Sequence, residues 1–136
     1  MKNLFIDTNL VLDLLGRREP FYQDAAQLFS LADRGKIKLY VSSLTIANSY
    51  DVLSKLTSAK EARTILVKFN VLVVVLDLSD KTIELALHDD SFSDVEDGIQ
   101  YYTAIENDMD ILITRNLKDF KSAKIPVMTA DQYLKT

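Results

Sequence analysis

Two kinds of hydrophobic spacing alternate along the chain. Short apolar runs read as strands: Leu4-Phe5-Ile6, which stops abruptly at Asp7, then Lys38 to Val41 and Ile111-Leu112-Ile113. Val71 to Leu76 is a continuous β-branched run, the pattern of a strand covered on both faces. Val127-Met128 reads as a short edge strand. Between these runs the apolar positions recur with helical spacing, at Leu10 to Leu15 and at Phe21 to Ala32, with Pro20 well placed at a helix start. Ser42 or Ser43 is suited to cap a helix reaching about Leu56, and another helix covers roughly Ala59 to Phe69. Ser79 or Asp80 caps a helix to about His88, Ser93 opens one to about Asn107, and Thr129 caps a last helical turn.

Strands alternating with helices predict an α/β fold, a three-layer α/β/α sandwich around a mostly parallel sheet of four to five strands. Right-handed crossovers restrict its topology. At 136 residues the chain has room for one domain, residues 1–136, and no second core. In such sheets ligands bind outside the carboxyl ends of the strands. The first strand ends in Asp7-Thr8-Asn9 and the strand at Ile111 in Thr114-Arg115-Asn116, so polar side chains fall where a site is expected.

Composition narrows the chemistry. The absence of cysteine excludes disulfides and thiolate metal sites and agrees with a cytoplasmic protein. The first apolar run is too short for a signal peptide, and the longest uncharged stretch, Leu39 to Tyr50, is too short and polar to span a membrane. A net charge of −4 argues mildly against nucleic-acid binding by bulk charge. A divalent ion would supply the missing positive charge locally. Arg115, Lys118, Lys121 and Lys124 lie in one stretch; any one alone reads as a solvated residue, but as a group beside a metal site they are candidate phosphate contacts.

The acids carry the sharper signal. Asp7 fits an N-cap at a strand-to-helix turn when taken alone. At about 3.6 residues per turn, Asp94, Asp97, Gly98, Tyr101 and Ile105 share a face while Glu96 points away. Ser93 and Glu96 fit a capping box. Asp97 shares its face with apolar residues, and a buried carboxylate needs a partner or a metal. For Asp94, interaction with the helix dipole and a metal-binding role are equally good readings. On the third helix Ile46, Tyr50, Leu53 and Leu56 form the apolar side, leaving Asn48, Asp51 and Lys55 on the other, where solvent is the plainer explanation. Asn116 could cap a turn and Asp119 could be an exposed loop carboxylate, but their position at the carboxyl end of the Ile111 strand favours a functional role. Carboxylates converging from different elements suit Mg²⁺ or Mn²⁺, which take hard oxygen ligands and can activate water. His88 fits a helix-end dipole partner, and Tyr101 and Tyr102 fit core and groove-wall positions.

With these motifs in this order, the whole chain resembles a PIN domain. The matching residues are Asp7-Thr8-Asn9, then Asp97 and Ala104 on a helix, then Thr114-Arg115-Asn116 and Asp119-Phe120. The resemblance implies a parallel-stranded fold and a metal-dependent endoribonuclease, with relatives that include bacterial toxins restrained by antitoxins. It implies Asp7 and Asp97 as principal metal ligands, completed by Asn116 or Asp119, with Asp94 an additional acid. Asn9, Thr114 and the third-helix pair Asn48 and Asp51 would be auxiliary. One departure stands out: active relatives usually carry Glu where this chain has Asn48, and Asn brings no negative charge. RNA is then the implied substrate and an antitoxin the implied protein partner, with a homodimer also compatible. The competing reading is a PIN scaffold that binds RNA or protein without cleaving. Haloacid-dehalogenase phosphatases and receiver domains fit worse, since the first wants a second Asp where Asn9 stands and the second an early acid pair.

Overall fold

A computed structural model describes residues 1–136. Its centre is a five-stranded sheet in the order β3-β2-β1-β4-β5, with every neighbouring pair parallel. The strands are β1 (Asn3–Ile6), β2 (Lys38–Ser42), β3 (Val74–Leu76), β4 (Ile111–Ile113) and β5 (Val127–Met128). Parallel neighbours require long crossovers, and helices supply them. These are α1 (Thr8–Leu15), α2 (Tyr22–Asp33), α3 (Ser43–Leu56), α4 (Ala59–Phe69), α5 (Asp80–Leu87), α6 (Val95–Glu106) and α7 (Ala130–Leu134). A 3₁₀ turn spans Leu117–Phe120.

Alternation along β1 divides the core. Leu4 and Ile6 point into the larger core with Leu10, Leu28, Leu53 and Phe69, and so face α1 to α4. Phe5 points the other way, onto Tyr101, Ala104 and Phe120 on the α6 side. The three-layer parallel arrangement expected from the alternation of elements is therefore the observed one.

Several local expectations meet different outcomes. Ser42, Ser79 and Thr129 do cap their helices, and Thr129 forms a full capping box with Gln132. The run Val71 to Leu76 pairs only over Val74–Leu76, and as β3 it is an edge strand with Val74 exposed. Val73 and Val75 nonetheless pack on the larger core and Leu76 on the smaller one, so both faces of the run find cover. Leu56, expected on the buried side of α3, is 65% exposed, because the buried line runs through Thr45, Ser49 and Leu53. Ser93 does not open α6. Asp94 is the N-cap, its carboxylate accepting from the Glu96 backbone N–H at 2.8 Å, so the Ser93–Glu96 capping box is not formed. An Asp carboxylate at this end is also favoured over a serine hydroxyl by the helix dipole.

Strand order decides where a site can lie. Chain leaving β1 crosses toward β2, while chain leaving β4 crosses toward β5, so the direction of winding reverses between β1 and β4. That reversal opens a crevice at the carboxyl ends of those two strands. Asp7 and Thr114 are the residues immediately beyond them.

Candidate functional site

Asp7 is 5% exposed and held rigidly. Its backbone N–H donates to the Ile113 carbonyl at 3.0 Å, which ties it to β4. One carboxylate oxygen accepts from the Thr8 N–H at 2.9 Å, and the other from the Thr114 hydroxyl at 2.9 Å. The Thr114 hydroxyl in turn accepts from the Asn116 N–H at 3.1 Å, so it couples Asp7 to the loop carrying Asn116 and Asp119. Asp7 is thus both the helix cap that its position suggests and a buried acid. Burial raises its pKa and the nearby Asp119 adds to the rise, opposed by the hydrogen bonds from Thr114 and Thr8 and by Arg115.

Asp97, in the first turn of α6, faces the same crevice. Its pKa is pushed up to about 7, first by loss of solvation and then by the charges of Asp7, Asp94, Asp119 and Glu96. The structure therefore brings Asp7, Asp97, Asp94 and Asp119 into one electrostatic neighbourhood. No three of the acids close into a tight ligand cage. The coupling is one of charge rather than contact. Mg²⁺ needs little more, because it keeps several waters and is held by one or two carboxylates. Hard oxygen donors, with mutual repulsion left for a cation to relieve, fit such an ion. Histidine plays no part: the His88 ring contacts the Glu84 carbonyl at the end of α5.

The remaining expected residues divide. Asn116 precedes the 3₁₀ turn without a side-chain capping bond, which leaves its amide uncommitted there. Glu96 is exposed, as its helical phase requires. Asn9 is half-buried at the crevice, and its carbonyl accepts from Arg18 at 3.3 Å. Asn48 is half-buried on α3, but Asp51 is exposed and paired with Lys55 at 3.4 Å, away from the acids that act on Asp97. Asp51 therefore does not stand in for the missing third-helix acid. Lys118 and Lys121 are exposed. Arg115, expected on phosphate, instead makes a bidentate pair with Asp13 at 3.0 and 3.1 Å and lies over the Phe21 ring at 4.1 Å. A fully buried carboxylate outcompetes solvent for that guanidinium. Tyr102 donates to Asp89 at 2.6 Å, and Tyr101 is buried, as groove-wall and core roles require.

Sequence reasoning missed two features. Asp13 is fully buried, and its signal was a lone charge inside the apolar run Leu10 to Leu15. Gln100, 3% exposed and one turn beyond Asp97, donates to the hydroxyls of Thr8 and Thr45 at 2.8 and 2.9 Å. Those hydroxyls also bond each other at 2.8 Å. The cluster ties α6, α1 and α3 together beneath the acids, and no short-range pattern reveals it.

Buried and half-buried acids at the winding reversal of a five-stranded parallel sheet define a class of protein, and the PIN-domain family model matches residues 3–118, so the chain belongs to that family. Ribonuclease VapC1 of Aquifex aeolicus (strain VF5) is 29% identical over 135 residues, covering 97% of this chain and 93% of that protein. Among solved structures, a toxin–antitoxin complex from Klebsiella pneumoniae matches at 25% identity and a TM-score of 0.69, over 93% of this chain and 97% of its own. DNA-bound VapBC from Salmonella typhimurium shares the fold at a TM-score of 0.74 and 16% identity, over 96% and 99% of the two chains.

Proposed function

We propose that the protein is a Mg²⁺- or Mn²⁺-dependent endoribonuclease that hydrolyses RNA phosphodiester bonds, and that it is the toxin of a toxin–antitoxin pair. The observation that carries the reading is the acid pair Asp7 and Asp97, each raised in pKa by burial and by neighbouring carboxylates at the carboxyl ends of β1 and α6's facing crevice. The resemblance to Ribonuclease VapC1 and to a toxin–antitoxin complex supports the substrate class and the partner.

When bound, a divalent ion supplies positive charge that draws in the phosphodiester and makes water a competent nucleophile near neutral pH. The chain's own groups do the rest. Thr114 and the Thr8 N–H fix both oxygens of Asp7, so its carboxylate is presented in one orientation. Asp97, its pKa raised to about 7, would be a second carboxylate to hold the ion, in its deprotonated form. Asp119 and Asn116, carried on the loop tied to Asp7 through Thr114, complete the oxygen donors.

The test is cleavage of single-stranded RNA with Mn²⁺, Mg²⁺ or EDTA, alongside Asp7→Asn and Asp97→Asn. Metal-dependent cleavage lost in both variants supports the reading, and cleavage that persists in EDTA overturns it. Expression of the wild type, but not of Asp97→Asn, should arrest growth of a bacterial host if the toxin role is correct. A second reading, a binding module that does not cleave, draws on Asn48 and on the commitment of Asp51 to Lys55. RNA binding without cleavage in any of the three buffers would favour it.

A further inference from the structure

Asp13 is one fully buried carboxylate facing two guanidiniums. Arg115 takes both its oxygens in a bidentate pair, at 3.0 and 3.1 Å. Arg18 also approaches, its Nε 3.2 Å from Asp13 Oδ1, yet that Nε–H makes no hydrogen bond. The two atoms are close but misaligned, so the contact is one of charge alone. Of the two guanidiniums Arg18 is the more exposed, at 40% against 25% for Arg115, and it is the one Asp13 holds without a hydrogen bond. Arg18 also folds back along α1, where its Nη2 donates to the Asn9 carbonyl at 3.3 Å. Asn9 lies two residues from Asp7, on the helix that Asp7 caps, so Arg18 is tied to the element that follows the buried acid. Arg115 is near enough to Asp7 to lower its pKa.

We infer that Arg18 is a phosphate-binding residue of the RNA site, holding a backbone phosphate beside the acid crevice. The inference rests on the proposed ribonuclease reading for its substrate class. A guanidinium suits the task, since its planar fork can keep one edge on the Asn9 carbonyl while another meets phosphate oxygens. Arg18 is also better placed than Lys118 or Lys121. It is anchored to the element that presents Asp7, so less side-chain freedom is lost on binding, whereas both lysines are exposed. Asp13 keeps its bidentate partner when Arg18 is changed, so the fold should survive the substitution.

The experiment measures binding of a labelled single-stranded oligoribonucleotide by fluorescence anisotropy in EDTA, over a series of salt concentrations. Arg18→Gln is compared with Arg18→Lys and with Lys60→Gln, a control on the exposed start of α4. Arg18→Gln should weaken binding by about fivefold at low salt and reduce the slope of log Kd against log salt by about 0.7, one phosphate contact on a single strand. Arg18→Lys should keep the slope and lose part of the affinity, and Lys60→Gln should change neither. Unchanged affinity and slope in Arg18→Gln would overturn the inference. So would an equal loss in Lys60→Gln, which would mean bulk charge, or a wild type that binds no RNA. Cleavage with Mn²⁺ is assayed separately. A wild type that binds RNA through Arg18 but never cleaves it would sink the nuclease reading and leave this contact standing.

Discussion

Asp97 links the site to stability through its proton. Its folded pKa of about 7 lies above the ordinary 3.8, so the folded state binds the proton more tightly than the unfolded chain does. The stability this contributes is present below the unfolded value and is lost as pH rises toward about 7. Asp97→Asn should therefore melt at a higher temperature than the metal-free wild type at pH 8, and the difference should shrink as pH falls to 4. Thermal melts in EDTA across that range would check it, and equal melting temperatures at pH 8 would contradict it. Asp13 is a residue of the opposite kind, a buried acid that stabilises because it is paired. Asp13→Ala strands two guanidiniums and should cost about 3 kcal/mol in urea denaturation, the lower end for a broken buried pair because both arginines keep some water. Arg115 was legible as a basic residue at a strand end, but not as Asp13's partner. The two are 102 residues apart, and only folding brings them together.

At the scale of elements, the placement of α6 decides whether Asp97 faces Asp7. Gly98 lets α6 approach α5 closely, since a Cβ there would lie 3.3 Å from the Ala86 Cβ. Gln100 then locks α6 to Thr8 and Thr45. Gln100→Leu keeps the bulk and removes the amide, leaving two hydroxyls to partner each other. It should weaken Mn²⁺ binding in calorimetry, lowering kcat for RNA more than it raises KM, with Thr45→Val giving the same pattern. Unaltered Mn²⁺ affinity in both would reduce the cluster to a packing role. The helix α3 supplies a further comparison. Asn48→Glu should tighten Mn²⁺ binding, because a carboxylate in a partly desolvated crevice attracts a divalent ion more than an amide does. Asp51→Asn should leave the affinity unchanged, given its exposed pairing with Lys55. Unchanged binding in Asn48→Glu would place α3 outside the site. Element type followed from periodicity nearly throughout, whereas element extent did not. The run at Val71 loses its first half to a turn because only Val74–Leu76 finds a neighbour in β2.

For the whole molecule, the site is a property of sheet order. If the crevice takes a divalent ion, that ion stabilises the folded state alone, and saturation at a hundredfold excess over Kd should add about 2.7 kcal/mol. Melting with Mn²⁺ should show that shift in the wild type and lose most of it in Asp7→Asn, while an equal shift in both would place the ion elsewhere. What the sequence determined by itself was local: apolar runs and helical spacing set the parallel α/β class, and the Asp-x-Asn and Thr-Arg-Asn motifs marked two strand ends. Those signals are short-range, because hydrophobic period and capping chemistry act over a few residues. Only the tertiary structure decided that these strand ends are neighbours at the winding reversal and that Arg115 turns to Asp13. Each depends on contacts between residues far apart in the chain, where burial and competing charges, rather than local spacing, select the partner.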